Sequence, residues 1–171
     1  TLTLTHDVLI PRSETEALMA HVIENHTHPK NLFALDIGTG SGCMAISLAV
    51  HDKTMKITAI DSSKEAVSVA KNNAKNNQVE SQITFLNLSL AEFMETHPNS
   101  FELIVTNPPY ISLLEYEKLS PSVTQFEPAS ALTDHGSGTL ILFEIIDQLP
   151  QLLKPGGSAF IEFGYDQKPA L

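Results

Sequence analysis

Residues 32–50 read LFALDIGTGSGCMAISLAV. Six residues, all apolar but Asp36, are followed by glycines at every second position, Gly38, Gly40 and Gly42, and then by an apolar stretch of helical length. A short run this apolar predicts a strand buried on both faces, which is the habit of a parallel sheet rather than of a half-solvated antiparallel one. Glycines permit the tight turn that carries such a strand straight into a helix. A strand, a glycine turn and a helix in that order commit the chain to an α/β architecture.

The remainder repeats the pattern. KITAI (56–60) predicts a second strand ending at Asp61, with a helix from about Ser63 to Asn76. SQITFLN (81–87) predicts a third strand, followed by a short helix at LAEFME, and FELIVT (101–106) a fourth. TLILFEIIDQLPQLLK reads as a helix that Pro150 bends or interrupts, and KPGG then turns into a fifth strand, SAFIEFG (158–164). The expected fold is therefore α/β and Rossmann-like, a mostly parallel sheet with helices on both faces. Ahead of it, residues 1–12 alternate in part and predict a strand or hairpin fragment before Pro11. Ser13 is the expected N-cap of a helix, with Glu16 at capping-box spacing, Leu18, Met19 and Val22 as its buried stripe, and THPKN (27–31) as its close. Residues 107–136 hold more chain than a plain crossover needs, and connections of that length usually carry function.

Composition narrows the function classes. Ten basic against twenty acidic side chains give a net charge of −10, which argues against a nonspecific nucleic-acid surface. A hydrophobic content of 42% suits a folded domain, and no apolar run reaches the roughly 20 residues of a membrane span. The single Cys43 precludes an intramolecular disulfide and fits a reducing compartment. His6, His21, His26, His28, His51, His97 and His135 show no ligand-like clustering, so no metal is expected.

In an open parallel sheet the ligand lies beyond the C-terminal strand ends. No Lys-Ser/Thr pair follows the glycines, so the turn is not a triphosphate loop. Asp61, about twenty residues on, is placed to bind the hydroxyls of a ribose. Those features leave a nicotinamide dinucleotide and S-adenosylmethionine both open. Asp36 favours the second, because an acid beside the turn suits an ammonium and repels a pyrophosphate. Leu90, after the third strand, is a candidate adenine contact; an ordinary core leucine reads the same way.

The fourth strand ends in Asn107-Pro108-Pro109-Tyr110. Methyl transfer to a planar nitrogen suits this sequence. Such a nitrogen is a poor nucleophile, and two acceptors, the Asn107 side-chain oxygen and the Pro108 carbonyl, could hold its NH2 group facing a methyl donor. The prolines stiffen the turn, and Tyr110 offers a flat face to a planar acceptor. This is catalysis by orientation.

Together, DIGTGSG, the aspartate ending the second strand and NPPY resemble the class I S-adenosylmethionine-dependent amino-methyltransferases. DVLIPRSETEAL (7–18), FEPASAL (126–132) and FIEFGYDQ (160–167) resemble segments of the methyltransferases that modify the glutamine of the Gly-Gly-Gln loop in peptide-chain release factors. The resemblance implies a cytoplasmic enzyme with release factors as partners. It implies that Asp36, Gly38, Thr39, Gly40, Ser41, Gly42, Asp61, Leu90 and Asn107 bind the cofactor. Asn107, Pro108, Pro109 and Tyr110 would hold the glutamine, with Arg12 and Glu14 at the rim and Glu127 anchoring the long connection. A glutamine of a ribosomal protein is the alternative substrate; adenine in DNA or RNA is another, and a noncatalytic scaffold the alternative of a different kind. The sequence departs from that family at Ser13, in place of a second proline, at Ser89 and Leu90, in place of an acid and an aromatic, and at HGSGTLILFEI. Residues 13–171 are the expected catalytic domain, with 1–12 a linker remnant. The family's N-terminal helical domain and its last two strands are expected to be missing, the chain being read as C-terminally incomplete.

Overall fold

The structure, a computed structural model, describes residues 1–25, 31–97 and 101–170. Its strands are β1 (Phe33–Ile37), β2 (Lys56–Asp61), β3 (Ile83–Asn87), β4 (Phe101–Thr106) and β5 (Leu153–Ile161). Its α-helices are α1 (Ser13–Asn25), α2 (Cys43–His51), α3 (Lys64–Asn76), α4 (Leu90–Met94), α5 (Leu113–Tyr116), α6 (Pro121–Thr124) and α7 (Leu140–Leu152). The sheet order is β3-β2-β1-β4-β5 and every pairing is parallel.

The alternation of the apolar strands sorts the core into two layers. Ala34, Ile57, Ala59, Leu103 and Val105 face α1, α2 and α3, meeting Met19, Val22, Met44 and Val67. Leu35, Ile37, Ile60 and Ile104 face the other way, onto Phe93 of α4 and Ile145 and Leu152 of α7. A sheet with both faces covered needs strands apolar throughout, as the sequence has them. The strand order reverses between β1 and β4, and that reversal opens a crevice at their C-terminal ends. Ile37 pairs with Thr106, so Gly38 and Asn107 leave the sheet side by side. Thr106 Oγ1 donates to Ile37 O (2.8 Å) and closes the sheet beneath them.

Four local expectations change. Residues 1–12 form no strand. Their backbone finds side-chain partners on α3 instead: Thr3 N donates to Asn73 Oδ1 (2.8 Å), Asn73 Nδ2 donates to Thr3 O (2.9 Å), and Asn77 Nδ2 donates to Thr1 O (2.9 Å). Ser13 opens α1 rather than capping it. Its hydroxyl donates to Glu14 Oε2 (2.9 Å), while Glu16 N donates to Arg12 O (3.1 Å). The helix's expected close at 27–31 lies, up to Lys30, outside the described residues. α7 runs two residues past Pro150, late enough that the missing N–H costs it only one bond near its end. β5 starts at Leu153, with KPGG inside it as an irregularity: its pairing with β4 jumps from Phe101–Leu153 to Leu103–Ser158.

The long connection folds back on itself. Ile111 bridges Thr133 in parallel, Ile111 N donates to Leu132 O (3.0 Å), and Leu113 N donates to Gly136 O (3.0 Å). Its short helices α5 and α6 lie within this loop.

Candidate active site

A cavity of about 260 Å³ opens at the C-terminal ends of β1, β2, β3 and β4. Its floor is the β1–α2 turn, in which Gly38, Gly40 and Gly42 take φ of 69°, 52° and 82°. Gly38, Thr39, Gly40 and Ser41 line the cavity. Gly42 does not. A Cβ there would lie 3.1 Å from both Ala70 Cβ and Ile46 Cδ1, so this glycine serves the approach of α2 to α3 rather than that of a ligand. Asn73 of α3 pins the turn from behind, its Nδ2 donating to Ser41 O (2.9 Å).

Two carboxylates hold the turn. Asp61, at the end of β2, accepts from Gly40 N and from Ser63 N (both 2.9 Å), one on each oxygen. Each oxygen keeps a lone pair for the hydroxyls of a sugar. Asp36 lies beneath the turn rather than in the cavity wall. Its Oδ2 accepts from Thr39 Oγ1 (2.7 Å) and Ala45 N (3.1 Å), whereas its buried Oδ1 has no donor at all. Burial pushes the Asp36 carboxyl up to about 6 against those hydrogen bonds, and Asp61 adds to the rise. Burial also raises Asp61, with the Ser63 and Gly40 amides opposing. Among the described residues, Asp7, Asp61 and Glu144 line the cavity and no Lys, Arg or His does. An acidic cleft over an unsatisfied buried acceptor fits a cationic ligand and repels a pyrophosphate.

The fourth strand delivers Asn107 and Pro109 to the cavity wall. Pro108 is buried behind them, and Tyr110 turns away to donate its hydroxyl to Glu162 Oε1 (3.2 Å). Burial and the Glu162 carboxylate push that phenol up to about 12, so it stays protonated. Asn107 Nδ2 donates to Thr15 Oγ1 (3.0 Å), and Thr15 Oγ1 donates to Glu162 Oε2 (2.7 Å). Gln167 bonds the loop from outside, Nε2 donating to Tyr110 O (2.8 Å) and Gly138 O (2.9 Å). Leu90 lines the cavity as its place after β3 predicts, and its helix α4 is capped by Ser89 in a capping box with Glu92.

Arg12 and Glu127 do not reach the cavity. They meet each other, Nη2 to Oε1 at 2.7 Å, and Glu127 Oε2 also accepts from Ile10 N (3.2 Å). Glu127, 5% exposed, thus has local partners that stitch the long connection to the segment before α1. Among the described residues no three His, Cys, Asp or Glu side chains are grouped to hold a metal.

Comparison with known proteins bears on this geometry. The model of the methyltransferase small domain family matches residues 13–142. The chain belongs to that family. It is 40% identical over 158 residues to the release factor glutamine methyltransferase of Koribacter versatilis, covering 92% of this chain and 55% of that one. It is 36% identical over 171 residues to the Staphylococcus aureus protein of the same name, covering all of this chain and 60% of that one. The chain thus spans somewhat over half the length of these relatives. Among solved structures, a ribosomal protein L11 methylase from Lactobacillus delbrueckii matches with a TM-score of 0.65 at 24% identity, over 93% of this chain and 65% of that one, which supports the fold.

Within this methyltransferase domain, three residues with no role assigned from sequence hold the site together: Thr15, Glu162 and Gln167. Each lies in a segment that carried the resemblance. Their signal was polarity at positions the fold buries, since Thr15 and Glu162 are polar where the elements pack.

Proposed function

We propose that this chain is a cytoplasmic methyltransferase that uses S-adenosylmethionine to methylate the side-chain amide nitrogen of the glutamine in the Gly-Gly-Gln loop of peptide-chain release factors. Residues 13–171 form the catalytic unit. The observation that carries the reading is Asn107, held in a fixed orientation at the wall of an acidic cleft beside the glycine turn. The release-factor names of its relatives supply the substrate class.

The residues present fit the cofactor. Gly38 to Ser41 would lie along it, Asp61 would take its ribose hydroxyls and Leu90 its adenine face, while the Asp36 carboxylate beneath the turn would attract its ammonium through its charge. When bound, it supplies a methyl group on a positively charged sulfur. The chain's own residues then handle the acceptor. Asn107 Oδ1 and the Pro108 carbonyl accept from the substrate NH2, turning the nitrogen toward the methyl group. The acceptor nitrogen would exchange one N–H for the bond to the methyl carbon, the displaced proton going to solvent and the sulfur keeping the electron pair of the bond it gives up. No strong base is needed, because the positive charge that develops on nitrogen acidifies that proton. Orientation of this kind contributes on the order of 10²-fold or more to rate.

The test uses labelled S-adenosylmethionine with release factor, its Gln-to-Ala loop variant, ribosomal proteins and duplex DNA. Label is expected in release factor alone. Label in a ribosomal protein, in DNA or in the loop variant would overturn the substrate. Asn107→Ala should keep cofactor affinity by calorimetry and lose about 10²-fold or more in transfer. Equal loss of both would make Asn107 a structural residue.

A further inference from the structure

We infer that Thr15 of α1 is a positioning residue that sets which end of the Asn107 amide faces the acceptor. The inference rests on the reading above, in which Asn107 Oδ1 receives a substrate N–H. Thr15 is buried, and its Oγ1 lies 2.7 Å from Glu162 Oε2 and 3.0 Å from Asn107 Nδ2. A hydroxyl has one proton to give. A carboxylate oxygen can only accept, so that proton goes to Glu162 and Thr15 is left as an acceptor toward Asn107.

The group of Asn107 that faces Thr15 is therefore the NH2. The reverse orientation would bring Oδ1 to Thr15, which would then need its proton for Asn107 and leave Glu162 Oε2 without a donor at hydrogen-bond distance. Leaving a buried charged acceptor unpaired is costly. With Nδ2 committed to Thr15, Oδ1 is the end left for a ligand. Glu162 in turn is held on its other oxygen by the Tyr110 hydroxyl. One chain of three bonds, buried at Thr15 and Glu162, thus runs Asn107–Thr15–Glu162–Tyr110 and fixes Asn107 at the cavity wall. It draws on α1, on the segment after β5 and on the end of β4, so no single stretch of sequence contains it.

The substitution that isolates this role is Thr15→Val, which keeps the shape and removes the hydroxyl. Turnover in the full chain should fall about 10- to 100-fold, as expected for a misdirected reacting group. Cofactor affinity by calorimetry should stay within about twofold, and Thr15→Ser, which restores the hydroxyl, should recover turnover to within about threefold. Equal losses in Val and Ser, or a loss of cofactor affinity matching the loss of turnover, would overturn the inference. Nuclear magnetic resonance of the 15N-labelled wild type gives a readout independent of activity. The Asn107 side-chain NH2, identified by its absence in Asn107→Ala, should have one proton that exchanges slowly with water. Thr15→Val should shift that pair more than any other. Fast exchange of both protons in the wild type would sink the inference even if the valine variant failed to fold. Were the wild type to methylate no acceptor, the proposed reaction would fall, whereas the spectrum would still decide the orientation of Asn107.

Discussion

Asp36, with one oxygen bonded to Thr39 and Ala45 and the other without a donor, is an acid whose ionised form the folded protein disfavours. Its carboxyl is raised from 3.8 to about 6, chiefly by burial. The sign follows from where the proton binds more tightly. The folded state holds it better than the unfolded one, so this group's contribution is favourable below the unfolded value and lost as pH rises through about 6. Asp36→Asn keeps an oxygen for Thr39 and Ala45 and removes the charge. In the free protein it should add about 1–3 kcal/mol at neutral pH, read as a higher Tm, with the gain vanishing near pH 4. The same variant should bind S-adenosylmethionine about tenfold or more weakly, because the ammonium loses the negative charge beneath the turn. Unchanged affinity would remove Asp36 from the cofactor site. The sequence showed an acid beside a glycine turn; that one of its oxygens is orphaned depends on where Thr39 and α2 come to rest.

At the scale of elements, the end of β4 is gripped from three directions. α1 supplies Thr15, the segment after β5 supplies Glu162 and Gln167, and the entry to α7 supplies Gly138. Gly138 has φ 84°, and a Cβ on it would lie 2.5 Å from Tyr110 O and 3.2 Å from Gln167 Nε2. Gly138→Ala should destabilise by about 2–4 kcal/mol and speed hydrogen exchange of residues 107–112, measurable by mass spectrometry. Exchange unchanged there would mean that the α7 entry does not support the loop. The elements themselves were largely legible, because uniformly apolar strands and a glycine turn leave few alternatives. Residues 1–12 were not, since an alternating pattern resembles a strand whether its backbone partners are another strand or the Asn73 and Asn77 side chains. The span of β5 was misjudged because KPGG reads as a turn, whereas pairing with β4 carries the strand across it.

At the scale of the molecule, the charge of −10 and a cavity lined, among the described residues, by acids without bases disfavour a nucleic-acid ligand. Nonspecific duplex binding draws on phosphate neutralisation, and typical affinities at physiological salt are about 10⁻⁴–10⁻⁶ M. A labelled DNA duplex should show no anisotropy change with this protein up to about 10 μM at about 0.15 M salt. Tight binding there would revive the adenine reading. What the sequence determined by itself was whatever depends on neighbours along the chain: buried strands, the turn into α2, the amide and prolines ending β4. Only the tertiary structure decided that Gly42 packs on Ala70, that Arg12 answers Glu127, and that Thr15 and Glu162 aim Asn107. Those pairings join residues 28, 115, 147 and 92 positions apart, with Thr15 shared between the last two. Local pattern carries no information about such partners, because which polar groups share a buried space is settled only when the sheet and its helices close around them.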